Sequence, residues 1–168
     1  DNYCDLGAAL DGDGDRVLLV DGNGRYIDGD TLLLIFGRQL KKQGQLQSGG
    51  VVATVMSNMA LEVAVAQHGV FLYRTEVGDR HVAQEMQERS VSLGGEQSGH
   101  IIFSDFTPTG DGLLTLLQLL RIMAEENKSL TELADMESYP QILVNVEVHS
   151  KPDIYSIPEI EKSIAVAK

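Results

Sequence analysis

The sequence predicts a layered α/β fold, and three observations support that prediction. Short apolar, β-branched runs alternate along the chain with segments of helix length, which is the order expected of a sheet covered by helices. Glycine, asparagine and aspartate cluster between these segments, where turns and helix caps belong. The 168 residues are 43% apolar, which is enough for one packed domain or for one domain and part of another.

Two strands and a helix are predicted in the first part of the chain. Leu6–Leu10 and Val17–Val20 are apolar runs, and the second ends at the turn signal Asp21–Gly24. Asp30 is expected to cap the helix that follows. The polar, glycine-rich stretch Gly44–Gly50 is interpreted as a domain boundary.

A second pattern of strands and helices begins after this boundary. Strands are predicted at Val51–Val55, Val70–Tyr73, Val91–Leu93, Ile101–Phe103 and, with strict alternation of apolar residues, Ile142–Val148. Helices are predicted to begin at Ser57 or Asn58, at Asp79, at Asp111 or Gly112, and at Ser129. The tail from Lys151, with two prolines, is interpreted as a linker or a strand.

Composition excludes several classes of function. A formal net charge of -12 makes nucleic acid a poor partner, because binding the phosphate backbone requires a basic face. The single cysteine, Cys4, excludes an internal disulfide and a cysteine-based zinc site, and it suits a reducing cytoplasm. The longest apolar runs, such as Leu113–Leu117, are too short to span a bilayer. Because no methionine starts the chain, we expect a piece of a longer protein.

The acidic loop Asp11–Arg16 is the most informative segment. Its three carboxylates, Asp11, Asp13 and Asp15, stand at alternate positions and would repel one another in an empty loop. A hard divalent cation such as Mg²⁺ or Ca²⁺ removes that repulsion and prefers oxygen ligands. Arg16 fits such a site if an anionic group, for example a phosphoryl ester, also approaches the metal.

The acidic loop has two alternative explanations besides a metal site that a phosphoryl group approaches. An EF-hand that started at Asp11 would need glycine at its sixth position and glutamate at its twelfth, where this chain has Arg16 and Gly22. The EF-hand is therefore excluded. A solvated acidic turn is the other alternative, and Arg16 speaks against it.

A second polar loop, Gly94–His100, lies between two predicted strands. Glu96, Ser98 and His100 stand at alternate positions and are expected to point to one side. A carboxylate, a hydroxyl and an imidazole are suitable partners for vicinal sugar hydroxyls. A hairpin turn with polar side chains explains this loop equally well when it is considered alone.

Together the two loops resemble the α-D-phosphohexomutase superfamily, whose members carry a metal loop of the form DGDGDR and a sugar loop of the form GE-x-SGH. Further stretches, Thr54–Met59, Val77–Arg80, Thr109–Gly112 and Tyr139–Val146, resemble its phosphoglucosamine mutase branch. The resemblance implies a four-domain, cytoplasmic isomerase. It also implies that residues 1–45 end domain 2, that 46–150 form an α/β/α domain 3, and that 151–168 lead to a missing C-terminal domain.

The resemblance also implies a reaction. Such enzymes interconvert glucosamine 6-phosphate and glucosamine 1-phosphate on the route to UDP-N-acetylglucosamine and peptidoglycan, through a phosphoserine and Mg²⁺. By position, Mg²⁺ would be held by Asp11, Asp13 and Asp15, and phosphoryl transfer would involve Arg16, Asp79 and Arg80. The sugar would be bound by Glu96, Ser98 and His100. Asp79 is equally well explained as a helix N-cap.

Two further parts of the family's active site do not occur in these residues. The sequence contains neither the Ser-His-Asn-Pro type loop of the nucleophile nor an Arg-x-Ser-Gly-Thr phosphate loop. We therefore expect the chain alone to be inactive, and we expect its unpartnered first strands to favour self-association or mobility in residues 1–45. The phosphoglucosamine mutase hypothesis has two alternatives. One is a phosphomannomutase or phosphoglucomutase, and the other is a metal- and sugar-binding module without catalysis.

Overall fold

The computed structural model describes residues 4–150 and 152–167. Strands and helices of the described residues alternate as the sequence predicts, with short 3-10 turns at Gln47–Gly49 and Ile154–Ser156. In chain order they are β1 (Leu6–Leu10), β2 (Val17–Asp21), β3 (Tyr26–Ile27), α1 (Gly29–Lys42), β4 (Gly50–Thr54), α2 (Met59–Gln67), β5 (Phe71–Thr75), α3 (Asp79–Arg89), β6 (Leu93–Gly95), β7 (Ile101–Phe103), α4 (Gly112–Glu126), α5 (Leu130–Leu133) and α6 (Pro158–Ala167).

The first sheet is antiparallel and has the strand order β1-β2-β3. Strand β1 pairs with β2 along its whole length, with Leu10 opposite Val17 across the acidic loop. The turn after β2 forms because the Asp21 carboxylate accepts hydrogen bonds from the backbone N–H groups of Asn23 and Arg25, each at 2.9 Å. The two predicted strands and this turn are confirmed, whereas β3 was not predicted.

The second sheet is covered by helices on both faces. Its strand order is β5-β4-β6-β7, with β4 parallel to β5 and β6, and with β7 antiparallel to β6. Alternate residues of β4 point to opposite faces: Val51 belongs to the buried cluster that includes α1 and α2, whereas Val52 packs with Val82 and Met86 of α3. The predicted α/β/α layering is therefore confirmed.

Helix α1 links the two sheets. Residues Leu32–Phe36 are buried, and the helix packs against β4, β6 and α2. Its N-cap is Asp28, whose side chain accepts a hydrogen bond from Thr31 N, so the prediction that Asp30 caps it is wrong. The division between residues 45 and 46 stays a prediction, but α1, on its N-terminal side, packs on the second sheet.

Three other expectations are corrected. Ile142–Val148 is not a strand: its apolar side chains are exposed, and no described strand pairs with it. The tail contains helix α6, which begins with Pro158 at the first helical position, where a missing N–H costs nothing. Gly78, rather than Asp79, is the N-cap of α3.

None of the described helices is long and apolar enough to cross a membrane.

Candidate metal and sugar site

The acidic loop between β1 and β2 gathers three carboxylates. One oxygen from each of Asp11, Asp13 and Asp15 lies within 4.8 Å of the others. Gly14 adopts a φ of 76°, which permits the tight turn that folds the carboxylates together. A cluster of carboxylate oxygens at this spacing suits Mg²⁺ or Ca²⁺, so the residues present fit a divalent cation.

Arg16 is fixed to the same loop. Its Nε donates to Asp11 Oδ2 at 2.8 Å, and its backbone N–H donates to Asp11 Oδ1 at 3.2 Å. Burial alone would raise the pKa of Asp11, but the backbone N–H and the charge of Arg16 outweigh burial and lower the pKa. Asp11 therefore stays ionised, as a metal ligand requires. No described residue accepts a hydrogen bond from the two Nη groups of Arg16.

The second loop, Gly94–His100, is joined directly to the first. Arg16 and His100 form an antiparallel bridge, and Val17 N donates to Gly99 O at 3.3 Å. Gly29 at the start of α1 donates its N–H to Gln97 O at 2.9 Å. A Cβ atom on Gly29 would overlap the carbonyl oxygen of Glu96. Glycine is thus required for this close approach of two backbones.

His100 lies beneath the acidic loop and is only 3% exposed. Its Nε2 accepts a hydrogen bond from Gly110 N at 3.2 Å, and its Nδ1 lies 3.1 Å from Asp15 Oδ2. Because Nε2 acts as the acceptor, the ring proton sits on Nδ1 and is donated to Asp15. His100 was predicted among the sugar-binding residues. In the structure both ring nitrogens are hydrogen-bonded to the protein, and the ring orients a carboxylate of the acidic loop.

An open cleft of about 690 Å³ lies beside both loops. It is lined by residues from five segments of the chain: Arg16, Tyr26, Asp28, Thr54, Met56, Val77, Glu96, Gln97 and Ser98. Of the predicted site residues, Arg16, Glu96 and Ser98 therefore share one cleft. Because a guanidinium and two carboxylates line it, this cleft suits a ligand that carries both an anionic group and hydrogen-bond donors.

The predicted residues Asp79 and Arg80 lie at the start of α3 and are exposed. Neither is among the residues that line the cleft. Asp79 Oδ1 accepts a hydrogen bond from Arg80 N at 2.7 Å. The link to the site runs through the preceding residue, because Gly78 N donates to Glu96 Oε1 at 2.9 Å.

Two carboxylates at the start of α1 were not predicted as site residues. Asp28 lines the cleft, and Asp30 is completely buried behind it. Asp30 Oδ2 accepts hydrogen bonds from Asn58 N at 2.7 Å and from Gln97 Nε2 at 3.2 Å. Burial raises the pKa of Asp30, although the Asn58 N–H acts in the opposite direction. The pattern Asp-Gly-Asp before an apolar helix is the only sequence signal for either role.

Fold and site together define an α/β/α domain with a carboxylate metal loop and a polar, sugar-compatible cleft. Residues 28–139 match the family model described as phosphoglucomutase/phosphomannomutase, alpha/beta/alpha domain III. The chain belongs to this family, and the predicted resemblance to the phosphohexomutases is confirmed.

Curated relatives and solved structures agree with this family. The chain is 48% identical to a phosphoglucosamine mutase of Alkaliphilus oremlandii (strain OhILAs) over 96% of its length, and 50% identical to one of Geotalea uraniireducens (strain Rf4) over 95%. It spans 38% and 36% of those relatives.

The solved structures resemble the described fold over most of its length. A phosphoglucomutase/phosphomannomutase family protein of Burkholderia thailandensis superposes with a TM-score of 0.73 and 28% identity, covering 82% of this chain and 30% of that one. An N-acetylphosphoglucosamine mutase of Aspergillus fumigatus, solved with GlcNAc-6P and magnesium, gives a TM-score of 0.70 at 23% identity, covering 89% and 36%.

Proposed function

We propose that this chain supplies the metal and sugar loops of a phosphoglucosamine mutase, which interconverts glucosamine 6-phosphate and glucosamine 1-phosphate. The observation that carries the proposal is the direct backbone junction between the acidic loop and the Gly94–His100 loop beside one cleft. The names of the curated relatives support the choice of branch. Because the chain spans just over a third of those relatives, the complete reaction is proposed for the longer protein.

In this proposal Mg²⁺ is held by Asp11, Asp13 and Asp15, whose oxygens are already close together. The ion would neutralise charge on the phosphoryl group that moves between a serine and the sugar. Arg16 would contribute its two Nη groups, from which no described residue accepts a hydrogen bond, as a fork of donors to phosphoryl oxygens. His100 keeps Asp15 in position through the Nδ1 hydrogen bond.

The sugar would lie in the cleft against Glu96 and Ser98. Glu96 is held by Gly78 N through one carboxylate oxygen, so its other oxygen is available to sugar hydroxyls in either orientation of a bisphosphorylated intermediate. Asp79 and Arg80 remain proposed as an acid/base or orienting group and a phosphate partner. Their exposed position at the start of α3 requires the substrate or another part of the protein to reach them.

The packing supports a division near residue 28, earlier in the chain than the predicted one between residues 45 and 46. Residues from about 28 to 139 would form domain 3, with α1 as its first helix. The β1–β2 hairpin would be the end of domain 2 and would carry the metal loop into the cleft. The segment after 150 would lead toward a further domain, and the longer protein would work in the cytoplasm on a phosphorylated amino sugar.

Phosphorus NMR tests the proposal on the full-length protein and on the 168-residue chain. We expect the full-length protein to convert glucosamine 6-phosphate faster than glucose or mannose phosphates, and we expect the chain alone to give no product. Asp13→Asn should abolish the magnesium-dependent rate, whereas Asp5→Asn, outside the metal loop, should leave the rate unchanged. A full-length protein that converts none of the three sugars would refute the proposal.

A second candidate is a binding module without catalysis. It would gain support if the longer protein encoded no Ser-His-Asn-Pro type loop outside these 168 residues. The two candidates separate in the full-length protein: magnesium and sugar binding without any turnover would favour the module.

A further inference from the structure

The side chain of Gln97 has a fixed orientation at the edge of the cleft. Its backbone carbonyl accepts the N–H of Gly29 at 2.9 Å. Its amide Nε2 donates to Asp30 Oδ2 at 3.2 Å. Asp30 is 0% exposed and also holds Asn58 N at 2.7 Å, so the acceptor of the amide is itself fixed.

This orientation decides which end of the amide a ligand meets. Because Nε2 is engaged behind the cleft, Oε1 is the end that remains, and no described residue donates to it. Gln97 lines the cleft, and Oε1 is not among the buried polar atoms without a partner. The amide therefore leaves Oε1 available to a ligand as an acceptor.

Two neighbouring carboxylates in the cleft are held in the same way. Asp28 Oδ1 accepts the N–H and the hydroxyl of Thr31, at 2.9 and 2.8 Å, and its Oδ2 is left without a described partner. Glu96 Oε1 accepts a hydrogen bond from Gly78 N, and Glu96 Oε2 also has no described partner. Each of these three side chains thus uses one polar atom for the protein and has one oxygen without a described partner, and all three residues line the cleft.

A wall of acceptor oxygens distinguishes an amine from a hydroxyl. A protonated amine donates three hydrogen bonds and carries a positive charge, whereas a sugar hydroxyl donates one and is neutral. Hydrogen bonds from a charged donor are roughly twice as strong as neutral ones. Arg16 lines the same cleft and suits the phosphoryl group.

We propose that Gln97 is a specificity-determining residue whose amide oxygen, oriented by Asp30, accepts a hydrogen bond from the amino group of an amino-sugar phosphate. The inference rests on the proposed function and adds to it the residue that selects the sugar. Asp30 acts as a positioning residue, because it reaches the ligand only through Gln97.

The test compares the kcat/KM of the full-length protein for glucosamine 6-phosphate and for glucose 6-phosphate. Gln97→Met keeps the length of the side chain and removes the acceptor. The ratio of the two kcat/KM values should fall about tenfold, the difference between a charged and a neutral hydrogen bond. Gln118→Met, the same change at a half-buried glutamine on α4, should leave the ratio unchanged.

Two variants of Asp30 test the positioning role. Asp30→Asn keeps an oxygen in place for Asn58 N and Gln97 Nε2, so the ratio should stay near that of the wild type. Asp30→Ala removes this anchor, so the ratio should fall even though Gln97 is present. The melting temperatures of both variants show whether a lower total rate reflects unfolding, which lowers both kcat/KM values together and leaves their ratio intact.

The outcomes separate this inference from the proposed function. A wild-type protein that prefers glucosamine 6-phosphate, with Gln97→Met retaining the full preference, would overturn the inference and leave the proposed function standing. A wild-type protein with no preference for the amino sugar, or with no activity, would overturn both. An equal loss for both sugars in Gln97→Met would assign Gln97 to general binding and overturn selectivity.

Discussion

Replacing His100 with alanine tests the link between the fold and the metal loop. The ring is 3% exposed and bonds Asp15 Oδ2 and Gly110 N. Truncation leaves the buried Gly110 N–H without an acceptor, at a cost of about 1–3 kcal/mol. It also removes the charge-assisted hydrogen bond to Asp15, which contributes about 1.5–3 kcal/mol. Allowing for overlap of these contributions, we expect the free energy of unfolding to fall by about 2–4 kcal/mol.

Urea unfolding followed by far-UV circular dichroism measures this change, because the chain has no tryptophan to report by fluorescence. His149→Ala, at an exposed position, is the matched control and should change the free energy of unfolding by less than about 0.5 kcal/mol. Magnesium affinity should fall about 10- to 100-fold in His100→Ala, as for other groups that orient metal ligands. An unfolding midpoint equal to that of the wild type would refute the assignment of His100 as a buried, doubly bonded ring.

Three further predictions concern stability and assembly. Gly29→Ala should destabilise the protein by about 1–3 kcal/mol in urea unfolding, because its Cβ would overlap the Glu96 carbonyl; Gly12→Ala, with open space around it, should have a much smaller effect. Burial raises the pKa of Asp30, so its contribution to stability is greatest below the ordinary aspartate pKa of about 3.9 and is lost as pH rises through the raised value, by at most about 1.4 kcal/mol per pH unit. The stability of Asp30→Asn relative to the wild type should therefore rise over this interval and then level off; a constant difference would contradict it. Light scattering after size-exclusion chromatography should detect self-association of the 168-residue chain through the open edge of β1, and a clean monomer with well-protected amides in residues 1–45 would count against it.

Local signals predicted the elements of the fold well where the signal lies within a few residues. Helix α4 begins after Asp111, whose side chain accepts Leu114 N, and α5 begins with a capping box at Ser129. Helix α1 shows the limit of such reasoning. Asp28 and Asp30 are both plausible caps, and only the geometry that brings Asp28 to Thr31 N decides between them.

The prediction of a strand at Ile142–Val148 was wrong for a different reason. Strict alternation of apolar residues describes a strand with one buried face, but a strand also needs a neighbour to accept its hydrogen bonds. In the described part of the chain this segment has no such neighbour, and its side chains remain exposed, 87% in the case of Ile142. Sequence periodicity reports a tendency of the segment and carries no information about the partner.

The candidate site was predicted in its residue types but not in its arrangement. The acidic loop and the cleft position of Glu96 and Ser98 agree with the sequence hypothesis. The burial of His100 depends on Gly110, and the role of Asp30 depends on Gln97, a residue 67 positions away. Contacts at such separations are set by tertiary packing, which a single sequence read locally does not encode.

The close backbone contacts made by glycines around the acidic loop and the Gly94–His100 loop limit how the site can evolve. Gly29, Gly99 and Gly112 each bring one backbone so close to another that a Cβ atom would collide with a carbonyl. An insertion or a larger residue in either loop would displace the other, so the loops can diversify only as a pair. New sugar preferences should therefore arise by exchange of the side chains at Gln97 and Asp28, while the length of both loops stays constant.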